Sequence, residues 1–369
     1  MNYIFYQTKT KFTNTGDALI NNSLLSVLRS YGKIKANCGN DIPIEFIRQL
    51  GINEDEKLSG YSEFNFIFAV LKYAIRAKHK GDKVFIFSGL GHTYGGSFKK
   101  VIRNLIAGIL FPVYKLFGVK IIRIGITLGP ISHLLALTEV FRSFFIYKYL
   151  VRDTASLNLC HKIGIKKAEL CPDMSWLYKI NTSRELNETN NVVVNLRNST
   201  LDEYVDNKYI ENIISKCEQI LYTIKKSFNN ELNIIVTYQV AGDKEFSFII
   251  FNHLKNKFNV EFVPTQMNLD DVEKYYGKAR YNISNRMHSL LLGYKFGALP
   301  IALIDIKEHI KITSAFYDSG LSELLIDVNS NINGTDKIIN DAEILYERLI
   351  KTEKINQARI IEKLNHITQ

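Results

Sequence analysis

The sequence predicts an α/β protein of two Rossmann-like domains facing a cleft, and three observations carry that prediction. Short apolar stretches alternate with amphipathic helical ones along most of the chain. One polar segment, NTSRELNETNN (181–191), breaks the alternation, which then restarts. At 369 residues the chain is too long for most single domains and about right for two. Apolar strands alternating with helices imply parallel sheets covered on both faces. The expected division is residues 1–185 as the N-terminal domain and residues 190–369 as the second, which keeps the C-terminal helix.

NYIFYQT (2–8) reads as the first strand. The helix after it places Ile20, Leu24, Val27, Leu28 and Tyr31 on one face, with Gly32 as its C-cap. KVFIFSG (83–89) is the next strand, followed by a glycine-rich loop, SGLGHTYGG (88–96). KIIRIGITLGP (120–130) is a third strand, and YKYLVRD (147–153) a fourth behind a long helix. Residues 181–191 then serve as a linker. Beyond it the strands are VVVNLR (192–197), NIIVTYQ (233–239), VEFVP (260–264), residues 281–284 and PIALID (300–305). Helices over 207–228, 244–257, 269–277 and 289–296 separate them.

Composition narrows the function classes. The net charge is +10, which points to an anionic partner: nucleic acid, a membrane face or an acidic small molecule. The basic residues are dispersed and no nucleic-acid-binding signature is present, so nucleic acid is not expected. Apolar helices around 105–117 and 134–150 could rest on an anionic membrane, but burial inside the α/β domain is the simpler reading. No stretch reaches the roughly 18 uninterrupted apolar residues of a spanning helix. The nearest, 105–122, is broken by Pro112, Lys115 and Lys120. Four scattered cysteines without a C-x-x-C pair suit a reducing compartment and no structural zinc. The N-terminus lacks the apolar core of a signal peptide. A cytoplasmic protein is expected, with peripheral contact to the inner face of the membrane left open.

In open parallel sheets ligands bind at the carboxyl ends of the strands. There the first domain offers KFTNTGDAL (11–19), in which Gly16 permits a tight turn and Asp17 opens a helix. A phosphate here would sit beside the Asp17 carboxylate, so the turn is a poor phosphate cradle. A carboxylate at such a strand end suits accepting a proton from a hydroxyl, although aspartate is also simply favourable at a helix start. The loop at 88–96 is no Walker loop, and His92 there is a hydrogen-bond candidate or a solvated loop residue. In the second domain the cations stand out. Arg197 ends one strand, and Arg286 and His288 end another, immediately before a helix. Cations at a helix N-terminus oppose the dipole unless an anion lies between them and the free amides. The pattern points to a compact anion held by arginine forks, or else to Arg286 paired with a carboxylate such as Asp305 or Asp271. Lys311 could add a third cation. No metal-ligand cluster is visible and none is required.

These segments resemble the polysaccharide pyruvyl transferases. NTGDALI (14–20) looks like that family's N-x-G-D motif, and GITLGP (125–130) its glycine-rich segment. VRDTASLNLCHKIGI with CPDMSW (151–176) is similar to its R-D-x-x-S…G…P-D pattern. ISNRMHSLLLGYKFGALPI (283–301) resembles its S-x-R-x-H signature with the trailing G-x-P. The second glycine cluster, here GLGHTYGG, departs from the family's plainer Gly-Gly run.

The resemblance implies a GT-B-like pair of Rossmann domains. It implies transfer of pyruvate from phosphoenolpyruvate to two hydroxyls of a sugar, giving a cyclic ketal on a bacterial exopolysaccharide, a capsule or a polyprenyl-linked precursor. Carried over by position, Arg197, Arg286, His288 and Lys311 would bind the donor. Asp17 would face the acceptor; the residues themselves add Asn14, Gly16 and His92 as acceptor-side candidates, and the chemistry of ketal formation makes Asp17 the base and His288 the acid of a catalytic pair. No cofactor beyond phosphoenolpyruvate as co-substrate is implied. Two rivals share this outline. One is a GT-B glycosyltransferase using a nucleotide sugar, which needs a ribose-binding carboxylate such as Glu308. The other is a non-catalytic sugar-binding subunit.

Overall fold

The structure is a computed structural model. It describes residues 1–369 except 9, 40, 60–62, 89, 181–184, 200–206, 229–230, 332–333 and 369. Contacts divide the chain into two compact units. The first comprises residues 1–12, 17–177 and 356–369, and the second residues 13–16 and 178–355. Three short stretches therefore fall on the other side of the division expected from sequence. Residues 13–16 belong with the second unit, which also begins at 178 rather than near 190, and the end of the C-terminal helix belongs with the first.

The first unit contains β1 (Asn2–Gln7), α1 (Thr15–Leu28), β2 (Lys33–Cys38), α2 (Ile44–Gln49), β3 (Lys57–Ser59) and α3 (Glu63–Lys80). Then come β4 (Lys83–Ser88), β5 (Gly91–Gly95), α4 (Phe98–Leu116), β6 (Val119–Ile131), α5 (His133–Ser143), β7 (Lys148–Val151), α6 (Thr154–Ile163) and β8 (Ala168–Leu170). Among the described residues its sheet runs β3-β2-β1-β4-β6-β7-β8, with β5 beside the far end of β6, and every pairing is parallel.

The glycine-rich segment expected to be a loop is in part a strand. Thr93 of β5 turns inward and takes a 3.0 Å hydrogen bond from Arg123 Nη2, which fixes β5 in register with β6. Gly129 of β6 lies under the Tyr94 ring, where a Cβ would overlap the ring atoms. The glycine in GITLGP thus serves a close approach between neighbouring strands.

The segment RDTAS also has a local cause. Asp153 is the N-cap of α6, accepting from Ser156 N at 2.7 Å. Its neighbour Arg152 donates to Asp173 Oδ2 at 2.7 Å and to Thr127, while Asp173 Oδ1 accepts from Ser175 N and Oγ. All of these side chains are buried, so the 151–176 pattern describes a buried polar network beneath the carboxyl ends of β6 and β7.

The second unit contains β9 (Asn191–Asn195), α7 (Asn207–Ser227), β10 (Asn233–Val236), α8 (Lys244–Leu254), β11 (Asn259–Phe262) and α9 (Val272–Tyr276). It continues with β12 (Tyr281–Ser284), α10 (Met287–Lys295), β13 (Leu299–Ile304), α11 (Ile310–Asp318), β14 (Leu325–Asp327) and α12 (Thr335–Asn340). Helix α13 (Ala342–Thr368) begins here and ends in the first unit. The sheet order β11-β10-β9-β12-β13-β14 is the doubly wound 3-2-1-4-5-6 arrangement. Its strand order reverses between β9 and β12, which pair directly from Tyr281↔Val192 to Ser284↔Asn195.

The expected linker is only partly one. Residues 181–184 lie outside the described residues. Leu186 is buried, and the Asn187 side chain donates to the carbonyls of Tyr276, Ala279 and Phe296, so this stretch is fastened to the second unit. Helix α10 starts at Met287, two residues before the sequence expectation, and its nine residues are all buried.

Candidate functional site

The reversal between β9 and β12 brings two strand tips together. The signature SNRMH explains how. Ser284 Oγ donates to Asn195 O at 2.6 Å and accepts from Arg286 N at 3.0 Å, tying one strand to the next. Asn285 Oδ1 accepts from Arg197 N, and its Nδ2 donates to Arg197 O, both at 2.8 Å. A side-chain amide thereby imitates a strand partner and holds Arg197 level with Arg286. The same Nδ2 donates to the Tyr209 hydroxyl at 3.0 Å.

Arg286 is the N-cap residue of α10, whose first turn has no acidic residue and no side-chain cap. Its guanidinium reaches Asp243, 2.5 Å from Nη2 to Oδ1 with a second contact from Nε to Oδ2. The carboxylate pairing foreseen as the alternative is therefore present, but with Asp243 rather than Asp305 or Asp271. Asp305 instead closes the turn after β13, accepting from Lys307 N and Glu308 N. Asp243 has no signature in sequence; it reaches Arg286 because β10 and β12 flank β9.

His288, in the first turn of α10, is buried against Gly16. A Cβ at Gly16 would lie 2.9 Å from His288 Cγ, so only glycine fits there. Residues 13–16 are held in this position by several bonds. Thr15 N and Oγ1 donate to Gln239 O at 3.2 and 3.1 Å, Thr15 Oγ1 also meets Met267 O, and Gln266 Nε2 donates to Thr13 O at 3.0 Å. Asn14 bridges Val240, and its Oδ1 accepts from Gly16 N at 3.0 Å. The N-T-G part of the motif is thus a bed for His288.

His309 escaped the sequence reading. It is the N-cap residue of α11, 1% exposed, with its ring 6.0 Å from that of Tyr209. Burial, reinforced by the nearby charges of Arg197 and Arg286, lowers its pKa to about 4 despite the Asp305 backbone contact. Its Nδ1 faces Asp305 N and O, while the buried Nε2 has no hydrogen-bond partner among the described residues. Histidine in IKEHIK lacks any local mark of a site; only its place beyond β13 reveals it.

The second unit therefore gathers Arg197, Arg286, His288, His309, Asn14 and Gly16. Lys311 lies two residues beyond His309 in the first turn of α11, half-buried. Asp17 and His92 belong to the first unit. The Asp17 carboxylate accepts from Thr10 Oγ1 and, at 3.2 Å, from Lys11 N, whereas His92 is exposed on β5 beside Tyr94. No group of three or more metal-ligating side chains converges among the described residues.

Guanidiniums and imidazoles at the carboxyl ends of adjacent strands, facing uncapped helix amides, suit a small ligand with more than one anionic group. The fold defines a two-domain α/β protein of GT-B type, with Arg197, Arg286, His288 and His309 gathered in its second unit. Solved structures share that fold. Anabaena HepE in complex with UDP is 10% identical over 98% of this chain and 96% of its own, with a TM-score of 0.56. S. aureus MnaA with UDP is 8% identical over 96% and 91%, with a TM-score of 0.53. No curated protein matches the chain. The model of the polysaccharide pyruvyl transferase family matches residues 14–303, and the chain belongs to that family.

Proposed function

We propose that the protein transfers pyruvate from phosphoenolpyruvate to two hydroxyls of a sugar, forming a cyclic ketal in bacterial exopolysaccharide or capsule synthesis. The observation that carries this reading is the cationic cluster on β9 and β12, found in a chain of this family. Phosphoenolpyruvate presents a phosphate and a carboxylate a few bonds apart. Arg197 and Arg286 are the forks for these groups, with Lys311 as a further cation. The second unit is then the donor domain.

The reaction needs a proton at the methylene carbon, attack of one hydroxyl at C2, loss of phosphate and closure by the second hydroxyl. Of the two hydroxyl protons, one ends on the new methyl group and the other on the departing phosphate. Asp17, which follows Gly16 in the chain, is the base for the first hydroxyl. His288 assists phosphate departure, and the arginines stabilise the charge that develops on it. Asn14 and His92 serve the acceptor, a free or polyprenyl-linked sugar, and no further cofactor takes part. The reaction belongs in the cytoplasm.

Calorimetric titration with phosphoenolpyruvate, beside a panel of nucleotide sugars, tests this reading. Phosphoenolpyruvate is expected to bind, and Arg286→Ala to weaken it by more than about 2 kcal/mol. Asp243→Asn, which removes the competing carboxylate, is expected to retain binding. Binding of a UDP, GDP or CMP sugar without phosphoenolpyruvate would instead make this a glycosyltransferase. Near wild-type turnover in Asp17→Asn would remove Asp17 from the mechanism.

A further inference from the structure

We propose that the face formed by α4 and α5 of the first unit docks on an anionic lipid bilayer. Half of the exposed large apolar side chains among the described residues belong to these two helices and the residues that cap them. On α4 they recur at helical spacing, Phe98, Ile102, Leu105, Ile109, Val113 and Leu116, so one stripe runs the length of a 19-residue helix. At about 1.5 Å per residue that stripe is roughly 28 Å long. On α5, Leu134, Leu137 and Phe141 repeat the spacing, and Phe144 caps it. The helices touch where Phe141 covers Gly108, so the stripes lie side by side. Exposure is high along them: 69% for Phe98, 72% for Ile109, 82% for Leu116 and 65% for Phe144. Contiguous apolar surface of this extent marks an interaction site.

Charge selects the occupant. Between Lys83 and Thr138 the chain has no aspartate or glutamate. The acid of α5, Glu139, is fully buried between Arg123 and Arg142. Lys99, Arg103 and Lys115 are exposed, and the first two directly follow Phe98 and Ile102 of the stripe. Long basic side chains can lay their stems on apolar surface and lift their charges to a phosphate layer. A second copy would set these cations against their own kind with no acid to pair them. A bilayer of acidic phospholipid supplies both an apolar interior and phosphate anions. No helix of the described residues is long and apolar enough to cross a membrane, so the contact is in-plane.

The proposal does not depend on pyruvyl transfer. Flotation of the purified full chain with phosphatidylglycerol–phosphatidylcholine vesicles, beside phosphatidylcholine alone, tests it. The protein is expected to float with the former, and salt to release it. Ile109→Asp with Leu116→Asp should lower the bound fraction about tenfold or more. Lys99→Glu with Arg103→Glu should abolish the preference for phosphatidylglycerol; both pairs are exposed, and unchanged circular dichroism and melting certify their folding. No flotation with phosphatidylglycerol, or flotation that survives both double variants, overturns the proposal. So does a solution dimer that Ile109→Asp with Leu116→Asp dissociates while vesicles stay unbound, because a second copy would then cover the face.

Discussion

Gly16 and His288 form a pair in which the smaller residue sets the position of the larger. Gly16→Ala puts a methyl into the imidazole, so His288 must turn or α10 must shift. The expected result is a loss of about 1–3 kcal/mol of stability and at least tenfold in turnover, read by thermal melting and phosphate release. Full activity in Gly16→Ala would show that the position of His288 is immaterial. His309 makes a separate case. Burial and then Arg197 hold its pKa near 4, below the usual value, so its folded form is neutral at pH 7. With the folded pKa depressed, its contribution to stability is complete above about pH 6.5 and drains as pH falls toward 4. An anion bound among these cations offsets their charge. Saturating phosphoenolpyruvate is therefore expected to raise the His309 pKa by about one unit or more, seen in the pH titration of its Cε1 proton. An unmoved titration would place the anion elsewhere.

At the scale of elements, one polar network joins four of them in the first unit. Glu139 of α5 receives Arg123 of β6, Tyr149 of β7 at 2.6 Å, Asn104 of α4 at 3.0 Å and its own helix's Arg142 at 2.6 Å. Burial by itself would raise its pKa, but the charges of Arg123 and Arg142 outweigh that and bring it down to about 2. The stabilisation is thus complete above about pH 4.5 and is lost as pH falls toward 2. Glu139→Gln is expected to cost about 3–5 kcal/mol at pH 7, because the buried Arg123 and the mostly covered Arg142 lose their anion. It should also flatten the pH dependence of denaturant midpoints between about 4.5 and 2. An unchanged slope would mean that this pair carries none of the acid sensitivity.

At the scale of the whole molecule, the C-terminal helix serves both units. Residues up to Glu353 belong to the second, where that carboxylate takes Lys295 and the Tyr294 hydroxyl, both at 2.5 Å, in a fully buried cluster. Beyond residue 355 the same helix packs into the first unit. Ile360, Leu364 and Ile367 are buried there, Lys363 pairs with Glu169, and Gln357 donates to Trp176 O. Three buried aliphatics at about 1.5–3 kcal/mol each approach the whole stability of an ordinary domain. Truncation after residue 355 is accordingly expected to lower the melting temperature by at least about 10 °C. A truncated chain that melts like the full one would show this end to be dispensable.

Much of this was legible in the sequence because burial on both faces of a parallel strand leaves a local mark. Runs such as VVVNLR and PIALID name their strands, and residues at the ends of such runs are candidates before any pairing is known. Arg197, Arg286 and His288 were found in that way. The strand read as a loop at 91–95 carries no such run, since Thr93 and Tyr94 there answer to Arg123 and Gly129 rather than to a local period. Sequence alone thus determined the α/β class, the two-part organisation and the cations at two strand tips. Tertiary structure decided which tips are neighbours, that Asp243 and His309 join them, and that residues 13–16 and the helix end belong to opposite units from their chain neighbours. Element type follows from periodicity within a few residues, whereas adjacency follows from sheet order, which sets residues about ninety positions apart side by side and leaves no local trace.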